Sequence, residues 1–157
     1  MTAPKLHSPL PGGRLLAACL LLAASTANAD PSVGLRAGVN LDREDPLVGI
    51  ELLASLQRHW WVNPNLEVTF GDRVDVVGLN ADFHYDFEHS GSAYFWLGPG
   101  LAVLFADYDG GGNDTDVGVN LLAGVGLPTS SGAVPYIQAK ATVADDTDGS
   151  LAFGVRF

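Results

Sequence analysis

Apolar residues alternate with polar or small residues along most of the chain after residue 32, and turn-forming residues interrupt the alternation at intervals. A period of two is the pattern of a β-strand with two different faces, and no stretch after residue 32 shows the period of an amphipathic helix. The pattern predicts eight strands, at residues 33–41, 48–59, 66–71, 77–87, 95–105, 117–127, 136–143 and 151–157.

The two faces of these strands differ in the size of their side chains. One face carries bulky apolar residues in every strand, for example Phe83, Leu97, Leu121 and Phe153, whereas the other consists of glycine, small residues and a few charged ones. The second face would make a poor solvent coat, but it suits the narrow lumen that eight strands enclose. With the bulky face in hydrocarbon and all backbone groups paired by closure, the pattern predicts an all-β fold, an eight-stranded antiparallel up-and-down transmembrane β-barrel.

The connections between the strands fall into two sets. Turns are predicted at Asn63, Pro64 and Asn65, at residues 88–92 and at residues 128–132, all at one end of the barrel. The other end receives residues 42–46, 71–75, 107–116 and 145–149, which together hold 12 of the 18 acidic residues. If both termini are periplasmic, this acidic end is extracellular.

The N-terminus has the order of a secretory signal peptide. Lys5 and Arg14 precede an apolar run at residues 15–24, and Ala27 and Ala29 form a small-residue cleavage site. The run is shorter than the roughly 20 residues that a membrane-spanning helix needs. The sequence therefore predicts a cleaved signal peptide at residues 1–29 and a barrel domain at residues 30–157.

Cys19 leaves one alternative open, because Leu16, Ala17, Ala18 and Cys19 together resemble the lipidation motif of bacterial lipoproteins. The apolar stretch continues past the cysteine, which favours cleavage after Ala29. The mature chain would then contain no cysteine and form neither a disulfide nor a thiolate metal site.

The charge balance of the chain excludes nucleic acid as a partner. The full chain carries a formal net charge of −10, and removal of Lys5 and Arg14 leaves six of the 8 basic residues against 18 acidic ones. Phosphate binding requires lysine and arginine, so a chain this acidic repels nucleic acid.

On these residues the chain resembles the small outer-membrane β-barrels of the OmpA/OmpX type. The resemblance rests on the strand pattern, on the Asn63-Pro64-Asn65 segment, on the glycine-rich residues 97–100 and 122–126, and on the final strand ending in Phe157. In that family a C-terminal strand of this kind is recognised by the barrel-assembly machinery, which implies this role for Ser150, Val155 and Phe157. Ala152 stands where the family usually has glycine, and Val155 where it often has an aromatic residue.

The polar face carries charged residues of both signs that would lie inside such a barrel: Arg36, Glu51, Glu67, Asp82, His84, Asp86, Lys140 and Arg156. Because an unpaired buried charge is costly, a structural network of ion pairs is the favoured interpretation. A gated ion path is the alternative, although eight strands leave no pore of water width.

The segment at residues 107–116 combines carboxylates with consecutive glycines, and its acids are Asp107, Asp109, Asp114 and Asp116. Carboxylate oxygens at short spacing suit a hard cation such as Ca²⁺. An ordinary solvated loop is the favoured interpretation. A related hypothesis is that divalent ions bridge this acidic rim to the phosphates of lipopolysaccharide.

The sequence favours a structural or envelope-integrity function without chemistry. Some small barrels modify lipids with histidine, serine and an acid at the outer rim, but here His89 and Ser90 are adjacent on a predicted periplasmic turn, a poor arrangement for a nucleophile and its base. The expected surroundings are outer-membrane lipid and lipopolysaccharide, and the protein is expected to be a monomer without a cofactor. The alternatives are a surface module whose acidic loops bind divalent cations or a partner, and a soluble periplasmic barrel that binds an apolar ligand.

Overall fold

A computed structural model describes residues 31–87 and 93–157 of the chain. The predicted signal peptide, Cys19, and the turn with His89 and Ser90 lie outside these residues. Eight strands follow one another: β1 (Ser32–Asn40), β2 (Pro46–Gln57), β3 (Trp60–Thr69), β4 (Val74–Asp86), β5 (Tyr94–Tyr108), β6 (Asn113–Gly126), β7 (Val134–Val143) and β8 (Thr147–Arg156). Within the described ranges, no helix is long and apolar enough to cross a membrane.

Each strand pairs antiparallel with the next, and β8 pairs with β1 to close the barrel. Leu35 lies opposite Ile50 on one side and opposite Val155 on the other, so the first strand is paired with a neighbour on each side. The predicted all-β fold, with eight antiparallel strands in up-and-down order, is confirmed.

The orientation of the strands also agrees with the sequence pattern. The four marker residues of the bulky face are exposed, with Phe83 at 37%, Leu97 at 47%, Leu121 at 59% and Phe153 at 56%. Their polar and small strand neighbours are turned inward, because successive side chains in a strand point to opposite faces. The bulky apolar face therefore forms the outer surface, and the barrel interior is polar.

The predicted turn at Asn63, Pro64 and Asn65 is wrong. These residues lie inside β3, and the connection from β2 consists of Arg58 and His59. Pro64 lacks an N–H group, and the pairing of β2 with β3 skips from Glu51–Asn65 to Ala54–Val62. The strand tolerates this gap because the side chains of Asn63 and Asn65 are hydrogen-bonded inside the barrel.

The acidic connection between β5 and β6 is shorter than predicted. β5 extends to Tyr108 and β6 begins at Asn113, so only residues 109–112 remain as a loop. Gly111 and Gly112 adopt positive φ angles of 83° and 127°, a conformation that favours glycine and allows this tight connection.

Candidate functional site: the polar interior

The interior divides into three layers along the barrel axis. A small cavity opens at the end that carries the β1–β2, β3–β4, β5–β6 and β7–β8 loops, which we call the loop end. Buried charged and amide side chains fill the middle of the barrel, and an aromatic cluster fills the end near the start of β1 and the end of β8.

Glu51 is the centre of the ion-pair network, since one carboxylate receives two arginines. Arg156 donates from Nε to Oε1 of Glu51 at 2.8 Å, and Arg36 pairs with Oε2 of the same residue. Asn63 also donates to Oε2, at 2.7 Å. All three charged residues are less than 5% exposed, so their charges are compensated by other charged groups of the interior and not by solvent.

Glu67 extends the network toward the loop end. Its Oε1 accepts from Arg36 at 3.0 Å, and its Oε2 pairs with Lys140 on the opposite wall. Through these bonds β1, β3 and β7 are joined across the lumen. Among the predicted interior charges, Arg36, Arg156 and Lys140 thus pair with Glu51 and Glu67. His84 pairs with Asp86, and Asp82 accepts hydrogen bonds from amide side chains.

A one-directional chain of side-chain hydrogen bonds runs around the lumen, in which a hydroxyl and then four amides each donate to the side-chain oxygen of the next residue. Its members in order are Thr142, Asn120, Asn80, Asn65, Asn63 and Glu51. The separations between donor and acceptor lie between 2.7 and 3.0 Å, so each is a good hydrogen bond. Bonds aligned in one direction polarise each other, and this chain ends on an ionised carboxylate, the strongest acceptor available.

Asp82 accepts hydrogen bonds from two amides of this hydrogen-bond chain and forms no ion pair within the described residues. Asn120 donates to its Oδ1 at 2.7 Å and Asn65 to its Oδ2 at 2.9 Å. The neighbouring strand β5 contributes space at this level, because a Cβ atom at Gly100 would collide with Oδ1 of Asp82. Gly100 lies between Asp82 and Asn120 in the sheet, so the glycine allows Asp82 to reach Asn120 over β5.

His84 and Asp86 form a separate pair, with 2.9 Å between Nδ1 and Oδ1. The His84 ring packs against Trp96, and its Nε2 has no hydrogen-bond partner within the described residues. The pair lies next to the aromatic cluster, away from the loop end.

The aromatic cluster closes the barrel near the start of β1 and the end of β8. Trp96, Leu122 and Tyr136 are at most 2% exposed, and Tyr94 packs against them. The guanidinium carbon of Arg156 lies 4.8 Å from the Trp96 ring centroid and 4.4 Å from that of Tyr136, which is a cation–π geometry.

The cavity at the loop end has a volume of about 50 Å³, enough for a few water molecules. Lys140, Glu67 and Asn80 line it, and Arg43 of the β1–β2 loop joins them. Arg43 is paired with Asp45 at 3.3 Å and with Asp148 at 3.6 Å, so it ties its own loop to β8.

The four acids of the predicted calcium loop are distributed over three elements. Asp107 lies in β5, Asp109 in the loop, and Asp114 and Asp116 in β6. In the parts of the chain that the structure describes, no group of three or more histidine, cysteine or acidic side chains is placed to hold a metal ion. Calcium binding remains a prediction.

The residues of the predicted assembly motif lie in or directly after β8. Ser150 lines the cavity, Val155 is half-buried, and Phe157 is 68% exposed and donates its backbone N–H to the carbonyl of Val33 at 2.8 Å. Their role in assembly is not tested by this geometry.

The interior asparagines are the functional residues that sequence reasoning missed. Asn80 and Asn120 fall on the polar face of predicted strands, whereas Asn63 and Asn65 have the local composition of a turn. Asparagine is depleted in strands, so four of them at inward positions are a detectable sign of an internal hydrogen-bond network.

Comparison with known proteins finds similarity in structure alone. No family model and no curated protein sequence matches the chain. Neisserial surface protein A superposes with a TM-score of 0.63 at 14% identity, covering 80% of this chain and 92% of that one. The N-terminal β-barrel domain of Pseudomonas aeruginosa OprF gives 0.63 at 14% identity over 81% and 96%. The outer membrane enzyme PagL gives 0.57 at 12% identity over 80% and 98%. The chain therefore has the fold of the small eight-stranded outer-membrane barrels.

Proposed function

We propose that this protein is a non-enzymatic, transmembrane barrel of a bacterial outer membrane, with a structural role in the envelope. The observation that carries the proposal is the inversion of polarity: bulky apolar side chains cover the outside, while Arg36, Glu51 and Arg156 are sealed inside. This arrangement is stable in a hydrocarbon environment, whereas in water an apolar exterior of this extent would cause aggregation.

The resemblance of the chain to exported barrels supports the other parts of the proposal. Residues 1–29 act as the cleaved signal peptide, and Phe157 with its strand is recognised by the barrel-assembly machinery. Lipid and lipopolysaccharide surround the outer face. The fold does not decide between structural and enzymatic roles, since an outer membrane enzyme shares it. The absence of chemistry is inferred from the interior, where the charged groups are occupied by one another.

A charge in the apolar belt tests the membrane assignment. We expect Leu121→Arg to destabilise the barrel folded in phospholipid vesicles by about 2 kcal/mol, because an arginine would face hydrocarbon. Thr115→Arg is the matched control: Thr115 is also exposed and in the same strand, but it lies beyond the last apolar outward residue, Val117. Equal stability of both variants in urea titrations would contradict a membrane-embedded belt.

The polar interior predicts a barrier and not a pore. We expect the folded barrel in a planar lipid bilayer to show no sustained ion conductance. The buried ion-pair network around Glu51 and the aromatic cluster around Trp96 fill the cross-section of the barrel below the cavity. Heat-shifted migration on a gel would show that the barrel is folded in the same sample. Stable single-channel steps from such a sample would refute the structural role in favour of an ion path.

A further inference from the structure

The two neighbours of β6 end at different heights at the loop end. β5 accompanies β6 along its whole length, with Asp107 opposite Asn113. The last residue pair between β6 and β7 is Val119 with Val143, after which β7 gives way to a turn. Gly118 still lies beside Val143 and Ala144, so residues 113–117 form a strand segment that is paired on one side, and we call this segment the open edge.

The register of the ladder identifies which backbone groups the open edge presents. At the other end of the same ladder, Leu127 donates its N–H to the carbonyl of Pro135 at 2.9 Å, so odd-numbered residues of β6 bond toward β7. The same alternation directs the N–H and C=O groups of Asn113 and Thr115 toward the side where β7 has ended. The Thr115 N–H bonds to the side chain of Asp114, Oδ1, at 2.8 Å, in place of a strand.

The open edge carries one outward-facing apolar side chain, Val117, and acidic side chains lie around it. Val117 is 73% exposed, the highest value among the large apolar residues of the described chain. Desolvation and the nearby carboxylates of Asp114, Asp145 and Asp146 raise the pKa of Asp116, which lies above the apolar belt. Negative charge is therefore concentrated where an added strand would lie.

We propose that the open edge binds an extended, lysine- or arginine-rich segment of another protein by β-strand addition. A strand edge that lacks a neighbouring strand is a template for a further strand. An added strand would replace Asp114 Oδ1 as the acceptor for the Thr115 N–H, and its alternate side chains would contact Val117. The carboxylates select a basic segment and disfavour a second copy of this chain, whose own edge carries the same acids. This interaction goes beyond the structural role and does not depend on it.

The backbone part of the proposal is tested with a labelled peptide of alternating lysine and valine, and binding to the detergent-folded barrel is measured by fluorescence anisotropy. Thr115→Pro removes the edge N–H without touching the ladder to β5, and Thr115→Ala retains it. We expect Thr115→Pro to weaken binding by about tenfold or more and Thr115→Ala to stay within about twofold of the original protein, as the loss of a strand hydrogen bond implies. Equal affinities for the two variants would overturn the proposal.

The charge part uses two variants with the same change in net charge. We expect the double variant Asp116→Asn/Asp146→Asn to weaken peptide binding by about fivefold at low salt. The control Glu44→Gln/Asp72→Asn, on other loops, should change the affinity by less than about twofold, because screening leaves only nearby charges effective. Tight binding of a glutamate–valine peptide would contradict charge selection. Peptide-induced slowing of hydrogen exchange at Thr115 gives a readout in the unmutated protein. Concentration-dependent dimers that Thr115→Pro abolishes would assign the edge to a second copy and overturn the proposal.

Discussion

Replacement of Glu51 by glutamine is expected to destabilise the folded barrel by about 3–5 kcal/mol, the cost of leaving buried charges without their partner. Glu51 accepts from Arg36 and Arg156 at once, and neither guanidinium is accessible to solvent. Glutamine preserves the size of the side chain but removes the carboxylate charge that both arginines contact. Within the described interior, Arg36 keeps its second bond, to Glu67, whereas Arg156 loses its ion pair. The measurement is the urea dependence of folding into vesicles, followed by tryptophan fluorescence and by heat-shifted migration on a gel.

Glu67→Gln is the matched control for this substitution. Glu67 has two cationic partners as well, but its side chain is 12% exposed and it lines the cavity with Lys140, so water can solvate the ammonium group that it leaves behind. We expect a loss of about 1–2 kcal/mol, as for a partly solvated ionic hydrogen bond. Arg36→Met in the Glu51→Gln background should recover part of the loss, because it removes one orphaned charge. A loss of under about 1 kcal/mol for Glu51→Gln would show that the network is not under this electrostatic constraint.

The orientation of the wall could be predicted from the sequence because each strand carries its own information about it. Phe83 and Asp82 are adjacent, and a period of two places them on opposite faces whatever the neighbouring strands do. The same local rule placed Arg36, Glu51, Lys140 and Arg156 inside, and the need to compensate buried charge predicted that they would pair. The individual ion pairs required the register between strands, which the pattern does not contain.

The errors arose where local composition disagreed with the pairing of whole strands. Asn63, Pro64 and Asn65 have the composition of a turn, yet the gain from two buried amide hydrogen bonds keeps them in β3. Asp107 and Asp114 look like loop residues, but pairing with neighbouring strands extends β5 and β6 through them. The bond from Asn120 to Asn80 joins β6 to β4 across β5, so no rule about sequence neighbours could have found it.

The close approach of strands β4 and β5 explains the glycine at position 98. A Cβ atom there would overlap the carbonyl oxygen of Phe83 and would come within 2.6 Å of the Cα atom of His84. Both are backbone atoms of the barrel wall, so they cannot move aside as the end of a flexible side chain could. The pairing between the strands skips this level, passing from Asp82–Gly100 to Tyr85–Leu97, which shows that the ladder is already irregular there.

Gly98→Ala is therefore expected to destabilise the barrel by about 3 kcal/mol or more, at the upper end of the range for overpacking, because one methyl group would force β4 and β5 apart. Gly78→Ala is the matched control, an inward-facing glycine of β4 whose added Cβ would meet Asn80 at 3.4 Å and Leu104 at 3.5 Å, ordinary contact distances. We expect the stability of the Gly78→Ala variant to change by less than about 0.5 kcal/mol, because alanine is better suited to a strand than glycine. Urea titrations of both variants in the same vesicles decide the matter. If Gly98→Ala were as stable as Gly78→Ala, the two strands would have room to separate, and the wall would be more deformable than its close approach implies.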